Sequence, residues 1–200
     1  DPATGQAARE LCGHLDCVSL ERIEDELSRL LAAPKPGRWM EPAVFAAVLP
    51  ELEINEETQR FEKSCEVIDA LPAGMEDLPA RLAALLAPLR EKGVRKALRR
   101  LRCSNAKIEE TAVLVREMGL APEPENLPLQ ARLLLGRLEP DTLRRLLLLC
   151  GAEHPEQAEA FDALEKAAER LTKEHACCRV KDLAINGRDL MEMGAAPGPG

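Results

Sequence analysis

An all-α fold, an array of short helices with no significant sheet, is what this sequence predicts, and three observations predict it. The core must be built from Leu, Ala, Val and Ile, because 46% of the 200 residues are apolar while the chain holds no Tyr, one Trp and three Phe. Leu and Ala favour helix. Apolar residues recur at three- and four-residue intervals through almost every segment, and no run alternates as a half-buried strand does. Proline and glycine then punctuate those segments at distances that suit short helices joined by short loops.

Taken in order, Glu21–Ala33 places Ile23, Leu27, Leu30 and Leu31 on one stripe, with Ser19 as a plausible N-cap and acids in the first turn. Pro34, Pro36 and Gly37 end it. Glu41–Leu49 is a short helix closed by Pro50, and Glu56–Leu71 is a longer one carrying Phe61, Cys65, Ile68 and Leu71. After Pro72 and Gly74 come Leu78–Leu89, Val94–Arg102, and Asn105–Met118 with Gly119 as its stop. Pro122 and Pro124 mark a loop. Leu127–Leu138, Asp141–Cys150 and Pro155–Lys173 follow, each with a cap or proline at its start. At the end, Asn186-Gly187 is turn chemistry, Asp189–Met193 is helical, and Gly194 suits the left-handed closing position. Pro197 and Pro199 read as the run-in to a further helix, so the chain is expected to be part of a longer one. No fixed-period repeat is present.

The formal net charge of −8 argues against a generic nucleic-acid coat, so a polyanion would have to meet a local basic patch. No apolar run approaches the length of a membrane span, and the scattered, odd-numbered cysteines fit the reducing cytoplasm, which is the location expected. The seven cysteines are scattered through helical patterns and read as reduced and mostly buried. Neither Cys12 and Cys17 nor Cys177 and Cys178 have zinc-ligand spacing, and His14, His154 and His175 do not cluster. There is no Gly-rich phosphate loop and no Ser/His/Asp grouping. No catalytic residue and no metal ligand is therefore expected, and the acids on helix faces read as solvated.

One feature rises above this background. Between Arg90 and Lys107 stand Arg90, Lys92, Arg95, Lys96, Arg99, Arg100, Arg102 and Lys107 against a lone acid at the start, Glu91. Val94, Ala97, Leu98 and Leu101 fall within about 100° of helical arc, which leaves the cations on the other side. Such a helix docks by its apolar stripe and offers guanidinium groups that suit phosphate. Arg95, Lys96, Arg99, Arg100, Arg102 and Lys107 are the candidate RNA-binding residues. The competing reading is an ordinary solvated face whose charges pair with Glu109, Glu110 or other acids. Because aromatics are so few, recognition of backbone and shape in folded RNA fits better than base stacking on single strands.

Several segments resemble a known family. Ser19-Leu-Glu-Arg-Ile-Glu-Asp-Glu-Leu-Ser-Arg-Leu-Leu31 is similar to the S-x-E-R-I-x-x-E-L-x-x-L-L helix that ends the neck of bacterial, class II CCA-adding tRNA nucleotidyltransferases and related poly(A) polymerases. Asp1-Pro-Ala-Thr4 and Ala8 resemble the helix before it. Val48-Leu-Pro-Glu-Leu52 resembles the L-P-E-L turn of that family, and Leu98-Arg-Arg-Leu-Arg-Cys-Ser-Asn105 its L-x-R-L-R-F-S-N segment. Asp182-Leu-Ala-Ile-Asn-Gly-Arg-Asp-Leu-Met-Glu-Met-Gly194 resembles its I-x-G-x-D-L-x-x-x-G signature.

The resemblance implies that residues 1–33 end the neck, 34–178 form the helical body and 179–200 the junction with the tail. It implies a catalytic head elsewhere, holding Mg2+ and using CTP and ATP to build or repair the tRNA 3′ end, and none of these is expected to bind here. The implied partners are tRNA and the protein's own head and tail, with no DNA and no membrane. Glu21, Arg22 and Glu26 match the neck motif, which in the family supports the nucleotide-selecting region from behind. Arg22 and Glu26, four apart, can brace one another or a neighbouring helix, and packing and capping alone would serve equally. Where many relatives carry L-L-H-D-I-G-K, this chain has Leu85-Leu-Ala-Pro-Leu-Arg-Glu-Lys92, and Ala87 and Pro88 cannot ligate a metal. A noncatalytic helical interaction module, or a poly(A) polymerase relative, stands as the alternative.

Overall fold

The computed structural model describes residues 2–54, 59–179, 182 and 187–194. Among them there is no strand, and the helices run α1 Pro2–Leu11, α2 Leu20–Ala32, α3 Pro42–Val48, α4 Gln59–Ala70, α5 Leu78–Leu86, α6 Arg90–Arg100, α7 Asn105–Glu117, α8 Leu127–Arg137, α9 Pro140–Glu153, α10 Ala158–Lys173 and α11 Gly187–Glu192. The fold is the all-α array of short helices that the periodicity predicts. No helix of the described residues is long and apolar enough to cross a membrane.

α5 is the axis of the core. Leu78, Ala80, Leu82, Ala83, Ala84, Leu85 and Leu86 are all at most 2% exposed, as expected of a helix that is apolar all round and so must be enclosed on every side. α2, α4, α7 and α9 pack around it, α6 lies along α7, and α10 lies along α8 and α9. Phe45 of α3 meets Phe61 of α4 with ring centroids 5.3 Å apart and planes tilted by 52°, an arrangement aromatic quadrupoles favour. Most of the remaining core is leucine and alanine.

Local chemistry sets the boundaries. The Ser19 hydroxyl accepts the Arg22 N–H at 3.3 Å and the Ser104 hydroxyl accepts the Lys107 N–H at 3.3 Å, each satisfying an orphan donor of a first turn. Proline occupies the first turn of α3, α5, α8 and α9, where its missing N–H costs nothing. Gly194 takes the expected left-handed conformation, φ +95°.

Four expectations need correction. Gly119 follows α7 without entering the left-handed region, and the left-handed cap falls instead on Arg102, φ +60°, after α6. There the Cys103 N–H donates to Leu98 and the Arg102 N–H to Arg99, both at 3.0 Å, which is the Schellman closure with arginine where glycine is usual. The predicted Leu78–Leu89 helix ends at Leu86 and continues as a 3-10 turn over Ala87–Leu89, after which α6 starts at Arg90 rather than Val94. Pro88 is the reason, since it has no N–H to continue the ladder. The cysteines are less buried than expected: Cys150 is enclosed, Cys17 and Cys177 are exposed and the other four are half-buried. Burial pushes the Cys150 thiol up to about 12. The Asn186 turn and the Pro197–Pro199 run lie outside the described residues.

Candidate nucleic-acid interface

α6 docks by the stripe its sequence marks, with Val94, Ala97, Leu98 and the following Leu101 fully enclosed. The opposite side divides into two sets. Lys96 and Arg99 are exposed and make no ion pair among the described residues. Lys92 belongs with them, exposed and one turn earlier, so Lys92, Lys96 and Arg99 form a single row at i, i+4 and i+7. Lys92 is absent from the sequence-derived candidates, although its spacing from Lys96 is the signal that would have found it.

Arg90, at the start of α6, is likewise exposed with no ion pair among the described residues, and the other cations are held by carboxylates. Arg95 donates to Glu91 at 3.0 Å and to Glu109, and the Arg95 hydrogen bond holds the Glu109 carboxyl below its usual range. Arg100 donates from Nε and Nη2 to the two oxygens of Glu51 and from Nη2 to the Val48 carbonyl. That hydrogen bonding is the first cause of a lowered Glu51 pKa, against the opposing effect of burial. Lys107 donates to Glu24, and to the Ser28 hydroxyl at 3.2 Å, while Ser28 in turn donates to Glu24 at 2.8 Å. Arg102 pairs with Glu21 at 3.3 Å. Pairing with Glu109, one partner the competing reading named, is thus present for Arg95, whereas Glu110 receives Arg145 at 2.6 Å.

These pairs differ in what a phosphate could displace. Arg102 and Glu21 are 65% and 59% exposed, a class of ion pair worth about 0–1 kcal/mol that an incoming polyanion readily replaces. Arg100 and Glu51 form a two-pronged pair with the carboxylate only 12% exposed, and releasing it would leave a desolvated charge. The cations open to an incoming anion are therefore Arg90, Lys92, Lys96, Arg99 and Arg102, with Arg95 and Arg100 fixing α6 and Lys107 fixing α7.

The neck-motif residues are distributed differently from the expected brace. Glu26 pairs with Arg29 at 3.0 Å, because an acid preceding a base by one turn is the better-oriented pair, and no Arg22–Glu26 bridge forms. Glu21 reaches across to Arg102 as described, and Glu24, which the motif reading passed over, reaches Lys107. Two carboxylates of α2 therefore clamp the corner between α6 and α7.

Sequence reasoning also missed Arg81, whose one signal is a lone charge inside the apolar run Leu78–Leu86. It is 1% exposed. Its guanidinium donates to the carbonyls of Leu31, Ala33 at 2.7 Å, Leu71 at 2.6 Å and Pro72 at 2.8 Å. The C-terminal ends of α2 and α4 thus converge on one cation, which satisfies orphan carbonyls and meets the negative end of both helix dipoles. Burial lowers its pKa, opposed by Asp69 and Asp77 nearby.

Ala87 and Pro88, where relatives of the phosphohydrolase type would carry metal ligands, line a pocket with Arg60, Lys63 and Ser64. Among the described residues no group of three His, Cys, Asp or Glu side chains could hold a metal ion.

Residues 1–55 match a family model described as a probable RNA and SrmB-binding site of polymerase A. The matched stretch contains Glu21, Glu24 and Glu51, the carboxylates that hold Arg102, Lys107 and Arg100. No curated protein and no solved structure matched the chain.

Proposed function

We propose that this chain is the tRNA-positioning helical part of a cytoplasmic CCA-adding tRNA nucleotidyltransferase, binding folded RNA while a separate head performs nucleotidyl transfer with CTP, ATP and Mg2+. The observation that carries the reading is the row Lys92, Lys96 and Arg99, left open with Arg90 on a helix whose Arg95 and Arg100 are neutralised by acids. In a chain of net charge −8 this gives a polyanion a local landing place, and phosphate contacts there position RNA without reading its sequence. The RNA-binding character of the family matched over residues 1–55 supports it independently. The same description names polymerase A, which favours a second reading, a poly(A) polymerase relative.

The test is binding to a tRNA lacking its CCA end, measured against salt with oligo(A) as competitor. Lys96→Glu with Arg99→Glu should weaken tRNA binding and flatten the slope of log K against log salt by roughly one unit per lost contact. Unchanged affinity sinks the assignment, and preference for oligo(A) over tRNA moves it to the poly(A) reading.

A further inference from the structure

Trp39 is the chain's single tryptophan, and it is 57% exposed. Phe45, Phe61 and Phe161 are all at most 7% exposed, so this indole is the whole of the aromatic surface the described residues offer. It sits in a 3-10 turn, Pro36–Trp39, between α2 and α3, and the turn is fastened on both sides of the ring. Pro36 is buried and Met40 is 5% exposed. The Gly37 N–H donates to Asp69 Oδ1 of α4 at 2.8 Å, and the Met40 N–H donates to the Gly37 carbonyl at 3.1 Å. A Cβ at Gly37 would stand 2.8 Å from Asp69 Oδ2, so glycine is what lets the turn approach α4 this closely. The backbone that carries the exposed ring is thus fixed.

One cation lies against the ring. The Arg38 guanidinium carbon lies 4.9 Å from the indole centroid, over the ring, in cation–π range. Lys35, immediately before Pro36, is exposed. With a guanidinium over one face and more than half of the residue open to water, the ring is a π surface with one cation against it. A nucleobase supplies the complementary pieces, a flat π face and a flanking phosphate.

We propose that Trp39 and Arg38 form a stacking platform for one unpaired nucleobase of the RNA that the basic row of α6 holds. The inference rests on the RNA-binding reading above and adds a second kind of contact to it. Both elements belong to one framework: Trp39 precedes α3, and the far end of α3 is gripped at Val48 by Arg100 of α6. α3 has seven residues and rises about 10 Å. Phosphates set the affinity on α6, and the ring captures a base displaced from the folded part of the RNA. Counting aromatics led to the opposite expectation, because composition records how many rings exist and not where the lone indole points.

The experiment uses that indole as its own reporter. Trp39 fluorescence is followed during titration with short oligo(A) and with an abasic oligonucleotide of the same length, which keeps the phosphates and lacks the bases. Oligo(A) should quench strongly and the abasic chain weakly. Trp39→Ala should reduce oligo(A) affinity, by anisotropy, roughly 5- to 100-fold, and leave abasic affinity unchanged, with Trp39→Phe retaining part of the loss. Equal quenching by both chains, or Trp39→Ala with undiminished oligo(A) binding, overturns the platform, and the second result would leave the ring as a protein contact. If neither chain binds while tRNA still does, the platform falls and the phosphate reading stands; if tRNA fails to bind as well, both fall. The wild-type comparison needs no variant, so it stands even if a substitution disturbs the fold.

Discussion

Arg100 grips Glu51 with two nitrogens, Nε to Oε1 at 2.7 Å and Nη2 to Oε2 at 2.9 Å, across 49 residues of sequence. Arg99, its neighbour in the chain, is exposed. Adjacent arginines therefore carry opposite duties. Arg100→Ala should cost roughly 2–4 kcal/mol in urea unfolding, because Glu51 is left desolvated without its partner. Arg99→Ala should change stability by less than about 0.5 kcal/mol and yet weaken RNA binding. Reversal of the two outcomes would refute this division.

The same pair gives the fold an acid-sensitive contact. The Glu51 carboxyl lies below its ordinary value chiefly through the Arg100 hydrogen bonds, with Lys96 a lesser attraction. A carboxyl with a lowered folded-state pKa contributes stability that is whole above the ordinary carboxylate range and is lost as pH falls through the lowered value. Thermal melts from pH 7 downward should show wild type losing stability below about pH 4.5, and Glu51→Gln, already weakened at pH 7, losing less over that interval. Parallel curves for the two proteins would remove the contact from the account.

Arg81→Met should be among the most damaging single changes. It fills similar space but orphans the carbonyls of Leu31, Ala33, Leu71 and Pro72 in a closed interior, at roughly 3–5 kcal/mol. Arg81→Lys should rescue little, since an ammonium lacks the planar fork that spans two helix ends. Denaturant midpoints of both variants within error of wild type would show that the convergence is energetically idle.

Arg102→Gly is expected to stabilise. The residue occupies the left-handed position of the α6 cap at φ +60°, where glycine relieves about 1 kcal/mol of backbone strain, and the exposed pair with Glu21 that would be lost is worth less. The melting temperature should rise by a few degrees while tRNA affinity falls by the loss of one cation. A lowered melting temperature would show that the Glu21 pair outweighs the backbone.

What the sequence exposes is local. Periodicity located the helices to within a few residues, Ser19 and the first-turn prolines marked starts, and the i, i+4 and i+7 row of α6 could be read from spacing alone. The pairings that decide which cations are open could not be read that way. Glu51, Glu24 and Glu21 come from segments 49 or more residues distant from their partners, and nothing in a helical wheel distinguishes Arg99 from Arg100. Arg81 was invisible for the same reason, since its acceptors are backbone carbonyls that any residue supplies. α7 does stop just before Gly119, but a glycine after a helix permits a left-handed cap without requiring one, whereas the Arg102 cap follows from Leu101 being drawn into the core.

The convergence on Arg81 has a consequence for anyone dissecting the protein. Leu31 and Ala33 lie before the Pro34–Gly37 loop, Leu71 and Pro72 lie after it, and the Gly74 N–H also donates back to the Ala32 carbonyl at 2.9 Å. A protease nick in that loop would sever the backbone and leave this clasp closed, so the two pieces should copurify under native conditions and part in denaturant. Expressed without its first 33 residues, the remainder would fold around a cation stripped of half its acceptors, which makes that joint a poor place to divide the chain.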